Sequence, residues 1–115
     1  MNIEDLRNYC ITKKAVREDF PFGENTLVFK VLDKAFALTS LSDPGSVNLK
    51  CDPEKAVELR ERYECVQPGY HMNKKHWNTV YFDGSVSDKL ICEWIDHSYD
   101  MVVKGMSKKE QAKLN

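Results

Sequence analysis

The sequence predicts an α+β fold in which one antiparallel sheet packs against α-helices. Three short segments rich in β-branched and aromatic residues follow one another at meander spacing between residues 26 and 51. Segments with helical periodicity lie outside this run instead of alternating with its strands, which is typical of helices segregated from a sheet. The length of 115 residues suits one domain over residues 1–115, with a hydrophobic core of ordinary size.

The N-terminal half is predicted to form one helix and the three strands of the meander. Ile3, Leu6 and Cys10 recur at helical spacing, and Asn2 can cap the helix that they indicate. The strands are separated by turn-forming residues, of which the first pair is 33–34. The predicted elements of this half are a helix at 3–13 and strands at 26–32, 35–41 and 47–51.

The C-terminal half is predicted to form three helices and one or two further strands. Asp52 followed by Pro53 indicates a helix start, because the Asp side chain caps the helix and Pro has no N–H to leave unpaired. This helix is predicted to end near Glu64 and to turn four side chains toward the core: Ala56, Val57, Leu59 and Tyr63. The remaining elements are a strand at 77–82, a long helix from Ser85 or Ser87 to Lys104, and a short helix after Ser107.

Charge and hydropathy limit the classes of function. A net charge of −1 argues against a protein that coats nucleic acid or a membrane surface by overall charge. The chain has no apolar run of about 20 residues and no signal-peptide pattern at its start, so no membrane partner is predicted and the expected location is the cytoplasm. In a reducing compartment the four cysteines are expected to be free and mostly buried, although two disulfides are the alternative.

The most informative segment is residues 69–77, which we call the basic–aromatic loop. No Asp or Glu occurs from Cys65 to Phe82, so this stretch is locally basic in a slightly acidic chain. Cationic groups interleaved with aromatic rings are the combination that holds phosphates and stacks on flat ligands. The loop therefore supplies seven candidate binding residues: Tyr70, His71, Asn73, Lys74, Lys75, His76 and Trp77.

Two interpretations of the basic–aromatic loop are open. In the first, Lys74 and Lys75 contact phosphates, Tyr70 or Trp77 stacks on a ligand, and the histidines and the asparagine donate hydrogen bonds. In the second, the segment is an ordinary loop that enters a strand, with Trp77 in the core and the lysines solvated. A similar choice applies to Phe20 and Phe22, which could form an exposed contact surface; the pattern favours a lid over the end of the sheet.

Other kinds of site have weaker support. His71 and His76 are five residues apart, which is neither a zinc-finger spacing nor HExxH, and no metal site or other cofactor is predicted. Cys65 could approach a histidine in space, but there is no GxSxG motif, no phosphate-binding glycine loop and no Rossmann fingerprint. We therefore expect a protein without catalytic residues.

Several segments, in order along residues 1–110, carry a resemblance to a known family: 20–23, 27–31, 36–38, 49–54, 68–77 and 83–84. The most specific of them is His71-Met72-Asn73-Lys74 followed by His76-Trp77. In these segments the chain resembles the MmcQ/YjbR family of small bacterial proteins. The resemblance implies a compact α+β domain similar to the CyaY-like or secretion-chaperone-like arrangement. It also implies binding of DNA by a double-wing arrangement of hairpins, and it supplies no catalytic residues.

The first functional hypothesis is a small cytoplasmic protein that binds double-stranded DNA without catalysis. Lys74 and Lys75, joined by Lys30 and Lys50 on strands that could share one sheet face, would contact phosphates. Four such contacts would give a log–log salt dependence of about −3 to −4. The alternative is a binding module for a protein partner or a small anionic metabolite that uses the same cluster. A third possibility is an enzyme with His71 or His76 as general base.

Overall fold

In a computed structural model, which describes residues 1–114, the chain forms one antiparallel sheet with helices packed against it, and the α+β prediction is confirmed. The strand order across the sheet is β1-β2-β3-β4-β6-β5. The elements within the described residues are α1 (Ile3–Cys10), β1 (Val16–Asp19), β2 (Thr26–Val31), β3 (Lys34–Ser40), β4 (Ser46–Lys50), α2 (Pro53–Arg62), β5 (Val66–Pro68), β6 (Trp77–Tyr81), α3 (Asp88–Lys104) and α4 (Lys108–Ala112).

The helix starts follow from side-chain caps that the sequence predicts. The Asn2 side chain accepts a hydrogen bond from the Asp5 N–H, and Asp52 accepts bonds from the first turn of α2. Of the two serines proposed for α3, Ser87 is the cap, because its Oγ accepts from the Leu90 N–H at 3.1 Å. Ser107 caps α4 in the predicted capping box with Glu110. No helix among residues 1–114 is long and apolar enough to cross a membrane.

The predicted meander is confirmed as β2-β3-β4, with two corrections. Val31 pairs with Lys34, so the turn lies at residues 32–33, one position earlier than predicted. Leu32 there has a φ of 54°, in the left-handed region that tight hairpin turns require. The second correction is β1, a strand that the sequence analysis missed because Arg17, Glu18 and Asp19 lack the apolar alternation of a strand.

Three predictions of burial are wrong. Val57 on α2 is exposed, because the helix turns Ala56, Leu59 and Tyr63 toward the core and leaves its neighbour on the outer side. Phe20 and Phe22 do not cover the end of the sheet: their exposed fractions are 45% and 73%. The loop between β1 and β2 carries both rings on the surface, which leaves Phe22 available for contacts with another molecule.

The sheet has one face covered by helices and one face without a helix, which we call the open face. The covered face bears core side chains such as Phe29, Ala37 and Leu49, packed with residues of α1 and α3. Because successive strand residues point to opposite sides, their neighbours Val28, Leu38 and Asn48 lie on the open face. Val28 and Leu38 are buried but do not belong to the core cluster, which agrees with this assignment.

The strand register arranges the open face in three rows across the sheet. The first row is polar and runs Thr26, Ser40, Ser46, Tyr81; the second runs Val28, Leu38, Asn48, Thr79, Gln67; the third contains Lys30, Lys50 and Trp77. Hydroxyl groups thus concentrate at one end of the face and lysines at the other.

Both edge strands are poor templates for another strand. The edge strand β1 is four residues long and has three consecutive charged residues, Arg17, Glu18 and Asp19. The other edge, β5, is three residues long and ends at Pro68, which has no backbone N–H to donate. The sheet therefore ends at both sides without a long row of free backbone groups.

A buried serine attaches α3 to the sheet. The Ser98 hydroxyl donates to the Phe36 carbonyl at 2.5 Å and accepts from the Lys50 N–H at 2.8 Å. Because β3 and β4 are neighbours, one side chain joins the helix to two strands. These two hydrogen bonds hold α3 over the middle of the sheet, on the side opposite the open face.

Candidate functional site

Gly69 allows the first and last residues of the basic–aromatic loop, 69 and 77, to lie in direct contact. The Gly69 N–H donates to the Trp77 carbonyl at 2.9 Å, and the Gly69 carbonyl accepts from the Met72 N–H at 3.2 Å. A Cβ atom at position 69 would lie 2.9 Å from both the Cβ and the carbonyl oxygen of Trp77. No side chain fits there, so glycine permits the close approach of the two ends of the loop.

Two polar residues of the open face hold Tyr70 against the sheet. The Thr79 Oγ1 accepts from the Tyr70 N–H at 2.9 Å and donates to the Asn48 Oδ1 at 2.5 Å. The Asn48 Nδ2 donates to the Tyr70 carbonyl at 3.3 Å, which closes the network. The backbone of Tyr70 is fixed in this way, although 66% of the residue surface is exposed.

His71 follows Tyr70 in a left-handed conformation, with a φ of 58°. Its ring lies against the Tyr70 ring, with 4.0 Å between the centroids. A non-glycine residue at positive φ is uncommon and concentrates at ligand-binding and active sites. The two exposed rings lie in contact above the sheet.

The middle of the loop uses part of its polar groups internally. The Asn73 Oδ1 accepts from the Lys75 N–H at 2.9 Å, and the Asn73 carbonyl accepts from the Trp77 N–H at 3.0 Å. The Lys74 Nζ donates to the Gly69 carbonyl at 3.2 Å. Lys75 extends into solvent without an ion pair among the described residues. The loop therefore presents one lysine outward and folds the other back.

The remaining predicted residues lie at the lysine end of the open face or beside it. The Lys30 Nζ pairs with the Asp19 Oδ2 at 2.8 Å, and this hydrogen bond lowers the pKa of the Asp19 carboxyl. Lys50 is the register partner of Trp77, which is half-buried. His76 is also half-buried, and its carbonyl accepts from the Cys51 N–H at 2.7 Å. The structure thus separates the predicted residues into two groups and does not bring all of them together.

A groove with a volume of about 690 Å³ lies on the open face between two loops. Its floor is formed by Thr26, Ser40 and Ser46 of the first row, which we call the hydroxyl row, and by Leu38, Asn48 and Thr79 of the second row. Phe22 lines it on one side, and Tyr70 and His71 line it on the other. Of the nine residues predicted from sequence, Tyr70 and His71 line this groove.

Sequence reasoning missed most of the groove. Asn48, Thr79 and the serines of the hydroxyl row are ordinary polar residues on the outer face of strands, which is how a solvated face also appears. Each of three strands contributes one small hydroxyl residue at an end, since Thr26 begins β2, Ser40 ends β3 and Ser46 begins β4. A single such residue in a strand is not a signal, and the group becomes recognisable only when the register places the residues side by side.

The cysteines and the third histidine lie outside the groove. All four cysteines are free, and Cys10, Cys51 and Cys65 are buried, as predicted. Burial raises the pKa of the Cys10 thiol to about 12 and that of Cys51 to about 11, so neither is a reactive thiolate at neutral pH. Burial also lowers the pKa of His97, whose Nε2 accepts from the Asp52 N–H at 3.2 Å at the start of α2. Among residues 1–114, no group of three His, Cys, Asp or Glu side chains is placed to hold a metal ion.

The family model described as YjbR matches residues 11–101, a range that runs from the end of α1 to α3 and contains the whole sheet and the groove. The chain belongs to the YjbR family. Two Escherichia coli relatives support this assignment. The protein YbdF of strain O157:H7 is 41% identical over 96 residues, which are 83% of this chain and 79% of YbdF. The protein YjbR of strain K12 is 36% identical over 104 residues, 90% of this chain and 88% of YjbR.

Solved structures of similar proteins share the fold. The Deinococcus radiodurans protein DR2400 superposes with a TM-score of 0.88 at 44% identity, and the match covers 97% of this chain and 86% of that protein. A Pseudomonas syringae protein superposes with a TM-score of 0.74 at 29% identity, covering 89% of this chain and 99% of that protein. The arrangement of sheet and helices described above is therefore that of the YjbR family.

Proposed function

We propose that this YjbR-family protein is a non-catalytic binding protein whose ligand occupies the groove on the open face. The observation that carries the proposal is the combination of groove size and lining. A volume of about 690 Å³ falls within the range of roughly 300–1,000 Å³ that is typical of ligand pockets. The exposed rings of Phe22, Tyr70 and Tyr81 surround the hydroxyl and amide groups of the floor, which provides contact area together with hydrogen bonds that fix orientation.

The hydrogen bonds around Tyr70 support the same proposal. Thr79 and Asn48 hold the Tyr70 backbone in place, so one wall of the groove is fixed by hydrogen bonds within the chain. Binding then costs less ordering of the loop than it would for a mobile segment. The exposed ring of Phe22 on the opposite wall has no comparable attachment among the hydrogen bonds of the described residues, and it would order on contact with a ligand.

The groove proposal predicts that small probes bind between the two loops. In an amide NMR titration with a fragment set of neutral aromatic, cationic and anionic compounds, we expect shifts at Ser46, Asn48 and Tyr70. Phe22→Ala removes one wall and should weaken these probes by about three- to tenfold, which corresponds to losing part of one ring's buried apolar area. Phe20→Ala is the matched control, because Phe20 is in the same loop and does not line the groove. Fragments that shift only residues outside the groove, or equal effects of the two substitutions, would contradict the proposal.

Binding of duplex DNA is the second candidate, and it is supported by the two unpaired lysines near Trp77. Neither Lys50 nor Lys75 forms an ion pair within the described part of the chain. Lys30 is neutralised by Asp19, and the Lys74 Nζ bonds the Gly69 carbonyl. We therefore expect two lysine–phosphate contacts, from Lys50 and Lys75, instead of the four expected from the sequence.

For DNA, the structure predicts a shallow salt dependence. Fluorescence anisotropy with a labelled duplex should give a log–log slope of about −2, since each phosphate contact contributes about −0.9. Lys75→Ala should reduce the slope by about one contact, whereas Lys89→Ala on the exposed side of α3 should leave it unchanged. An absence of binding at low salt and micromolar protein would exclude DNA and leave the groove as the only candidate site. An unchanged slope in Lys75→Ala would remove the basic–aromatic loop from the DNA interface.

A further inference from the structure

The charges that line the groove are opposite to those expected for an anionic ligand. Among the described residues, no lysine or arginine lines it, and Asp43, in the loop between β3 and β4, contributes the one carboxylate. Asp43 forms no ion pair with another described residue. The carboxylate is exposed at the rim and lies at the hydroxyl end of the open face, far along the sheet from the row of Lys50 and Trp77.

Three aromatic rings share the groove with this carboxylate. Phe22, Tyr70 and Tyr81 have exposed fractions of 73%, 66% and 43%, and each comes from a different part of the chain. Tyr81 is the register partner of Ser46, and Ser46 lies three residues after Asp43 in the chain. The Tyr81 ring and the Asp43 carboxylate therefore belong to the same end of the groove. The faces of aromatic rings carry partial negative charge and attract cations, and a carboxylate adds to this attraction.

We propose, on the basis of the proposed function, that the ligand of the groove carries an organic cation, a small ammonium or alkylammonium group. The cationic group lies among the aromatic rings near Asp43, and the rest of the ligand extends over the floor toward Asn48 and Thr79. The hydroxyl and amide groups of the floor accept or donate hydrogen bonds to polar atoms in that part. Met72, which also lines the groove, adds a polarizable sulfur surface.

The arrangement disfavours a small anionic ligand at the same place. Such a ligand would need cationic side chains to converge on the groove. The Lys74 Nζ is bonded to the Gly69 carbonyl, and Lys30 is paired with Asp19 at the other end of β2 from the groove-lining Thr26. Near the hydroxyl row, Asp43 would repel a carboxylate or a phosphate.

The test compares two ligands of the same shape, choline and its uncharged isostere 3,3-dimethylbutan-1-ol. Each is titrated into the labelled protein, and affinity is read from the amide shifts of Ser46, Asn48 and Tyr81. We expect choline to bind about five- to tenfold more tightly than the isostere, the range for a cation over exposed rings with a carboxylate nearby. In Asp43→Asn the preference should fall by about twofold or more, because the attraction of the carboxylate is lost while that of the rings remains.

Asp100→Asn is the matched control, because Asp100 is an exposed carboxylate on α3 outside the groove. It should retain the full preference for choline. Equal binding of the two ligands, or a preference that Asp43→Asn leaves unchanged, would overturn the inference. If choline and the isostere bind equally while both, or neutral fragments, shift the groove residues, the inference fails and the proposed function stands. If neither ligand nor any fragment shifts them, both fail.

Discussion

Replacing Phe36 with Ala should lower the free energy of unfolding by about 3–5 kcal/mol. Phe36 is fully buried in β3, and its ring meets the ring of Tyr99 edge to face, with 5.4 Å between the centroids. Its carbonyl accepts the hydroxyl of Ser98. The substitution therefore opens a cavity where α3 rests on the sheet and removes an aromatic pair, two losses that add to the transfer free energy of the side chain.

The measurement is urea unfolding of the wild type, Phe36→Ala and the matched control Phe22→Ala. Phe22 is 73% exposed, so its removal should change the free energy of unfolding by less than about 0.5 kcal/mol. The contrast separates an effect of burial from an effect of removing a phenylalanine. A loss below about 1 kcal/mol in Phe36→Ala would mean that the site collapses around the smaller residue, contrary to the packing described here.

Replacing Gly69 with Ala should destabilise the protein by about 1–3 kcal/mol and weaken binding in the groove. The added methyl group would lie 2.9 Å from the Cβ and the carbonyl oxygen of Trp77 and 3.1 Å from the Cβ of Met72. None of these three atoms can move away by a side-chain rotation, because Cβ atoms and carbonyl oxygens are fixed by the backbone, so the loop must shift as a whole. Tyr70 then loses its hydrogen bonds to Thr79 and Asn48, which removes one wall of the groove.

Gly45→Ala is the matched control for this effect. Its Cβ would meet only the Asp43 Oδ1, at an ordinary distance of 3.8 Å. Reducing the freedom of the unfolded chain should leave this variant unchanged or more stable by about 0.4–1 kcal/mol. The two glycine substitutions are thus expected to have opposite signs in urea unfolding. Similar unfolding free energies for both variants would show that the loop adapts and that Gly69 is not required for its shape.

The fold was predictable where local chemistry determines it. Asn2, Asp52 and Ser107 predict helix starts, because a side-chain cap joins residues that are close together in the sequence. The meander was predictable for the same reason, since short turns join its strands. β1 was not predictable, because Arg17, Glu18 and Asp19 form a strand through pairing with β2 and not through their own preference.

The site was only partly predictable. The composition of residues 69–77 drew attention to Tyr70 and His71, which line the groove, and equally to Lys74, whose Nζ bonds the Gly69 carbonyl. Lys30, predicted from its strand, is paired with Asp19. Composition gives the residue types present but not their partners. Ser40 and Ser46 carried no signal, since their role arises from lying side by side in the sheet, and Phe22 was assigned to the wrong environment.

The short, charged edge strand β1 and the proline at the end of β5 affect how readily this protein aggregates at high concentration. Sheets that expose long, regular edge strands can add strands from other molecules and grow into fibrils, and this risk rises with protein concentration. Here both edge strands, β1 and β5, resist such growth. The open face can therefore remain without a covering helix. The uncovered face therefore does not lead to growth of the sheet, because recruitment of strands at both edges is blocked.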